Sequence, residues 1–350
     1  MTRHPRPVLL MLDDREGLVR SAPGMAGLRD VCDVRVADRP LADIPDEDLT
    51  DVRLLLAVRE RTLLDAATLA RFPRLELLLQ TGTHAYHADA DELARRRIPV
   101  ALGRRARAVR AAVPELTLLL MLACLRRLGE ASKGISRGEW PALVGRTLAG
   151  RRLGVLGLGR HGRRVAELCH ALDMDVVGWD RTGEREGSAT PSGRRGPDDI
   201  TLLPLNDVLT TSDVVSVHLR LSDESTGLLD GKRLRAMKSG SVLVNTARGA
   251  MVDEHALMQV LRTGPIAAAG LDVFTEEPLP DRHPLRSLSN AVLTPHVGWT
   301  TEEVLTEYAE IAAQQAIDYL SGDLDPDDLL DPGVEPAPDA LGGLRKAVPG

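Results

Sequence analysis

Aromatic residues are scarce in this chain, only 2% of its 350 positions. Any core must therefore be packed from Leu, Val and Ala. Cysteine is nearly missing too: Cys32, Cys124 and Cys169 lie far apart, without paired spacing. That pattern excludes a disulfide framework and a zinc ribbon, and it fits free thiols in a reducing, cytoplasmic compartment. Long apolar runs are missing as well. The most apolar stretch, residues 116–124, is far too short to span a membrane. The early run "PVLLML" meets two aspartates at once, so it reads as a first buried strand and not as a signal segment. No excess of positive charge is present either. The net charge is −7, and acids interleave with the arginine pairs, which argues against a nucleic-acid partner.

What is present is an alternation. A chain of this length implies two domains. In the first hundred residues, the strand-like runs "PVLLML", "CDVRVA", "VRLLLAV", "LELLL" and "IPVA" alternate with helical stretches such as "LLDAATLARF". After a long helix expected over 106–131, interrupted by Pro114, a second series follows: "RLGVLGLG", "DVVGW", "DVVSVHL", "SVLVNT", "AAAGLDV" and "AVLTPH". The expected fold is α/β, with two doubly wound parallel sheets in tandem. Residues 181–199, rich in Gly, Pro, Ser and charge, read as a surface loop. "EEVLTEYAEIAAQQAIDYLSG" is a strong final helix, and the Pro- and Asp-rich residues 326–350 read as a flexible tail.

The most informative stretch is "RRLGVLGLGRHGRRVAELCHALDMDVVGWDR". Gly157, Gly159 and Gly162 form G-x-G-x-x-G between an apolar strand and a helix. Gly157 permits a tight turn, Gly159 lets backbone amides approach a diphosphate, and Gly162 lets helix and strand close up. Arg160 and His161 open the helix, whose N-terminus favours an anion. His161 takes the place of the small apolar residue more usual there, and its side chain is expected on the surface. Asp180, at the end of the next strand, would accept hydrogen bonds from ribose hydroxyls, which favours NAD over NADP. Arg181 beside it could soften that preference. The plainer alternative is a glycine-rich turn in an ordinary α/β domain.

Three later segments, "VNTARGAMVDEHAL", "LDVFTEEPLP" and "LTPHVGWTT", join this turn in the expected order. From about residue 54 to about 316 the sequence resembles the D-isomer-specific 2-hydroxyacid dehydrogenase family. The resemblance implies that Arg248, Glu277 and His296 do the chemistry. Histidine suits proton donation to a keto oxygen near neutrality. A carboxylate would orient it, and an arginine fork would hold the substrate carboxylate or keto oxygen. The resemblance also places His218, Ala247, Asp272 and Gly298 at the cofactor. Arg59, Gly82, Thr83 and His84 fall to the substrate, although Arg59, Glu60 and Arg61 could equally form a local ion-pair cluster. Glutamate at 277 separates the chain from formate dehydrogenases, which carry glutamine there. Two departures stand out: Arg220 where the family usually has proline, and "LGRRARAVRAAVPEL", which lacks the usual Asn and Thr.

The implied topology is a substrate domain of residues 1–105 plus 300–325 and a nucleotide domain of residues 106–299. The active site would lie in a cleft between them. A homodimer through the nucleotide domain is also implied. The implied activity is hydride transfer between NAD(H) and a small 2-keto or D-2-hydroxy acid. Two alternatives stay open: a non-catalytic NAD(H)-sensing regulator or corepressor, and oxidation of an inorganic or phosphonate acid.

"GTHAYHADADE", residues 82–92, looks at first like a metal site. Asp89 followed by Glu92 before "LARRR" is a helix-capping box, which accounts for two of the acids without a metal. His87 then reads as a bystander on the turn. His84 stands where many members have glycine, a swap histidine can tolerate even at positive φ. No metal is expected.

Overall fold

The computed structural model describes residues 6–181 and 200–341. Most of the segment read as a surface loop, residues 182–199, lies outside the described residues, as do residues 342–350. The chain divides into two compact units, Met1–Ala108 with Thr301–Gly350, and Val109–Thr300.

In the first unit, five parallel strands run in the order β2-β1-β3-β4-β5. They are β1 Val8–Leu12, β2 Asp33–Val36, β3 Val52–Ala57, β4 Leu77–Gln80 and β5 Val100–Leu102. Every residue of β1 and β4 is buried, because helices cover both faces and leave no polar side. The helix Glu302–Ser321 returns to this unit and packs closely. A Cβ on Gly24 would stand 3.0 Å from Glu310 Cα, and Gln315 Nε2 donates to the Leu102 carbonyl at 2.9 Å. Strand order reverses between β1 and β3. The turns that follow those two strands therefore flank the place where open α/β sheets receive ligands.

Residues 326–341 depart from the expectation of a flexible tail. Leu329 is buried and bridges Ala101, the Leu330 amide donates to Val100 O at 2.8 Å, and Asp328 pairs with Arg105 at 2.7 Å. The prolines and aspartates hid this because the segment attaches through a few backbone bonds and isolated leucines rather than a periodic apolar face.

The second unit holds a parallel sheet in the order β12-β11-β10-β9-β6-β7-β8. Its strands are β6 Arg152–Leu156, β7 Asp175–Trp179, β8 Thr201–Leu202, β9 Val214–Val217, β10 Ser241–Asn245, β11 Ile266–Leu271 and β12 Ala291–Leu293. β8 is too short to leave a sequence pattern. The helix expected over 106–131 is two helices, Val109–Leu125 and Leu128–Ser136. Arg127, at φ 53°, breaks the ladder between them. Pro114 lies inside the first helix without ending it. Here the order reverses between β6 and β9, so the Gly157 turn and His218 flank the switch point.

Candidate active site

The glycine turn follows β6. Gly157 has φ 95°, and a Cβ there would lie 2.9 Å from the His218 carbonyl oxygen. A Cβ on Gly162 would stand 2.0 Å from Gly157 O, so only glycine lets helix Arg160–His170 approach its own turn. Gly159 differs: among the described residues, a Cβ there meets nothing within 4 Å beyond its chain neighbours. The turn is therefore tight on the protein side and open above the helix N-terminus, a cradle that fits a dinucleotide diphosphate.

Asp180 directly follows β7, whose Trp179 carbonyl accepts the Gly157 amide at 2.8 Å. Arg181 turns to the 222–224 loop, donating to Ser222 Oγ at 2.7 Å and pairing with Glu224 at 2.9 Å. His218 lies 2.8 Å from Ser216 Oγ through Nε2, and burial pushes its pKa down to about 3. The expectation of a surface side chain at His161 is corrected. Its Nε2 is buried without a hydrogen-bond partner, and burial lowers its pKa, with Arg160 adding to the effect.

Beyond β10, β11 and β12 the remaining groups converge. Asn245 Oδ1 accepts the Ala247 amide at 3.0 Å while its Nδ2 donates to Arg248 O at 2.9 Å, which shapes the turn carrying Arg248. Arg248 Nη1 donates to Ala247 O at 2.7 Å, fixing one arm of the guanidinium. Gly249 follows because a Cβ there would fall 2.0 Å from Phe274 C, so the two loops meet backbone to backbone. Asp272 directly follows β11 and is almost wholly buried. It accepts Thr294 Oγ1 at 2.6 Å, Val297 N at 2.8 Å and Gly298 N at 2.9 Å. Burial raises its pKa against the pull of those three donors.

His296, at φ 54°, is held by this Asp272-bonded loop. Its Nδ1 stands 2.6 Å from Glu277 Oε2, and Glu277 Oε1 accepts the Phe274 amide at 2.9 Å. His296 and Glu277 side chains are 21% and 34% exposed, so the pair is partly shielded yet reachable. With Nδ1 engaged by the carboxylate, proton exchange with a substrate falls to Nε2.

In the first unit, the 82–92 stretch begins just past β4. Gly82 carries the positive φ, 122°, and His84 does not share that conformation. His84 stacks on Tyr86 with ring centroids 4.9 Å apart. Asp89 caps helix Ala90–Arg95 by accepting Glu92 N at 2.9 Å. The reciprocal half of the capping box is not made, since Glu92 pairs with Arg95 at 2.7 Å. His87, read as a bystander on the turn, is buried: it is 7% exposed, neither ring nitrogen has a hydrogen-bond partner, and burial lowers its pKa. No group of three or more possible metal ligands occurs among the described residues. Arg59 takes φ 69°, and its amide donates to Thr81 Oγ1 at 2.8 Å. Glu60 Oε1 instead accepts the Tyr86 amide at 3.3 Å, and Arg61 pairs with Glu16. Thr81 went unnoticed in the sequence because a lone threonine after a strand carries no pattern.

A diphosphate cradle at the switch point of one sheet, with a carboxylate–histidine pair and an arginine at later strand ends, defines a nicotinamide-dependent oxidoreductase. Residues 118–298 match the family described as D-isomer specific 2-hydroxyacid dehydrogenase, NAD binding domain. The glyoxylate reductase of Thermofilum pendens is 35% identical over 325 residues, 87% of this chain and 90% of that protein. A D-3-phosphoglycerate dehydrogenase of Mycobacterium leprae is 34% identical over 336 residues, 94% of this chain and 60% of its own length. The crystal structure of a phosphoglycerate oxidoreductase from Vibrio cholerae O395 matches with TM-score 0.78 and 31% identity, covering 89% of this chain and 98% of that one. The chain belongs to the D-isomer specific 2-hydroxyacid dehydrogenase family, and NAD is its cofactor. Among the described residues, no helix is long and apolar enough to cross a membrane.

Proposed function

We propose that the chain reduces a small 2-keto acid to its D-2-hydroxy acid, with His296 as proton donor, Glu277 as its support and Arg248 as the substrate clamp. The 2.6 Å contact between His296 Nδ1 and Glu277 Oε2 carries this reading. When bound, the reduced cofactor would supply the hydride that the carbonyl carbon takes up. His296 Nε2 gives a proton to the carbonyl oxygen, and Glu277 favours the cationic ring before that step. The sum is keto acid, NADH and one proton giving hydroxy acid and NAD. Arg248 has one guanidinium nitrogen tied to Ala247 O, and the rest of the fork serves the substrate carboxylate and keto oxygen.

Gly157, Gly159, Arg160, His161 and Gly162 form the diphosphate turn in this reading. Asp180 takes the ribose, and His218, Ala247, Asp272 and Gly298 line the nicotinamide side. Backbone amides at Gly82, Thr83 and His84 hold the substrate carboxylate, with Arg59 for a far anionic group. The relatives named for glyoxylate and phosphoglycerate suggest short, polar keto acids. An NADH-oxidation panel of glyoxylate, hydroxypyruvate, pyruvate, 2-ketoglutarate and longer keto acids, with phosphite as the inorganic arm, tests this. Tight NADH binding without turnover on any member would overturn the enzymatic reading.

The same proposal includes a cytoplasmic homodimer. Trp140 and Val144 are 91% and 88% exposed, and Leu128 and Ile135 are exposed as well, apolar side chains costly to leave in water. Light scattering of the native chain and of Trp140→Glu checks it, the native chain running as a dimer. The three free thiols are all buried, as a reducing compartment permits.

A further inference from the structure

A second histidine–carboxylate pair lies in the same unit and has no part in the chemistry just described. His283 Nε2 stands 3.1 Å from Glu254 Oε1, and both side chains are more sheltered than the His296–Glu277 pair, at 18% and 17% exposed. The other oxygen, Glu254 Oε2, accepts the Thr275 amide at 3.4 Å. One carboxylate therefore reaches both ends of the segment 275–283, and Glu277 lies between those ends.

The chemistry of His283 is fixed by its second nitrogen. The Leu285 amide donates to His283 Nδ1 at 3.4 Å, capping the short turn Pro284–Ser287. A nitrogen that accepts carries no proton, so the proton of a neutral His283 ring sits on Nε2, the nitrogen that stands 3.1 Å from Glu254 Oε1. Glu254 opens helix Glu254–Thr263, where a carboxylate suits the helix dipole. That helix follows almost directly from the Arg248 turn, whose Gly249 touches Phe274 backbone to backbone. Arg286 closes the far side by donating to Pro280 O at 2.9 Å and Leu279 O at 2.6 Å. The loop carrying Glu277 is thus held to the helix that follows the Arg248 turn.

We infer that Glu254 and His283 are positioning residues that set the distance between Glu277 and His296 by holding both ends of the 275–283 loop. The inference rests on the proposed roles of Glu277 and His296, but it concerns geometry that exists without substrate. Around the loop stand Phe274, which leads into it, Asp272 just before it, His296 opposite Glu277, and Arg286 at its end.

The test is a histidine-ring NMR titration of the native chain with NADH bound, with the His296 signal assigned by its loss in His296→Asn. Loosening Glu277 removes the carboxylate that favours the cationic ring. In Glu254→Ala and His283→Ala the titration midpoint should therefore fall by about half a unit or more. His283→Gln keeps a donor where Nε2 was, so it should restore most of the native midpoint. Glu254→Gln, able to accept only one of the two donors, should fall between. NADH affinity should hold within about twofold, while kcat in the keto-acid panel drops roughly tenfold or more without a matching rise in KM. An unchanged His296 midpoint in both alanine variants, or no rescue by His283→Gln, overturns the inference. Absence of turnover in the native chain overturns the proposed function alone, because the titration still reads the clamp.

Discussion

Glu277 joins two loops with one carboxylate, Oε2 lying 2.6 Å from His296 Nδ1 and Oε1 accepting the Phe274 amide at 2.9 Å. The backbone contact fixes the carboxylate, and the carboxylate fixes the ring. His296→Ala should lower kcat by roughly 10²–10⁴ with NADH affinity nearly unchanged, the range expected for losing a general acid. Glu277→Gln keeps the shape but not the charge, so its loss should be smaller and should grow with pH. Steady-state kinetics with fluorescence titration of NADH checks both. Substantial turnover in His296→Ala would remove the proton-donor role.

The three glycines of the turn should separate by experiment. Among the described residues, a Cβ on Gly159 meets nothing within 4 Å beyond its chain neighbours, while one on Gly162 falls 2.0 Å from Gly157 O. Gly159→Ala should therefore fold with an unchanged Tm yet lose NADH affinity by about tenfold or more, since its methyl enters the space the phosphates need. Gly162→Ala should lower Tm, because overpacking there forces the helix from its turn, at a cost of roughly 1–3 kcal/mol. Thermal melts with and without NADH distinguish the two. Equal Tm losses would refute the open cradle above Gly159.

Asp180 should govern the choice of nicotinamide nucleotide. Arg181, the residue next to Asp180 and able to meet a 2′-phosphate, is drawn to Ser222 and Glu224. Asp180→Ala should weaken NADH and narrow the NADH/NADPH affinity ratio. Freeing Arg181 with Glu224→Gln in that background should narrow it further. A ratio unmoved by Asp180→Ala would rule out the ribose contact.

Burial lowers the pKa of His87, His161 and His218, the last to about 3. The unfolded chain binds more protons at these positions below the ordinary histidine value, so their stabilising effect is full above about pH 6.5. It is lost as pH falls from there toward the folded values, at roughly 1.4 kcal/mol per unit for each fully shifted group. Denaturant midpoints should decline between pH 7 and 5, and His218→Gln should flatten that decline. A slope indifferent to His218→Gln would mean the imidazole finds a partner when it charges.

Much of this is legible in the sequence. Strands such as "VLLML" announce themselves because a parallel sheet covered on both faces leaves them wholly apolar. The glycine turn reads equally well, since each glycine answers a steric demand at fixed spacing. What stayed hidden was tertiary. The break at Arg127 depends on one backbone angle, β8 is two residues long, and the Glu254–His283 clamp joins residues whose proximity no local pattern encodes. His87 looked like a bystander because a short polar stretch gives no burial signal, whereas the fold closes over it.

The first unit's substrate loop offers the last prediction. Gly82 alone holds the left-handed turn there, so the residue at 84 is not confined to glycine by its backbone. His84 instead spends its ring on Tyr86, which is 56% exposed and has its amide anchored by Glu60. A ring stacked beside the amides proposed to hold the carboxylate limits what side chain a keto acid can carry past them. His84→Gly should leave Tm nearly unchanged and raise the relative rate on longer keto acids against glyoxylate. Tyr86→Ala should shift the same ratio less, because it frees the His84 ring without removing it. If His84→Gly leaves every relative rate alone, the stacked pair belongs to the surface and selection of the substrate lies elsewhere.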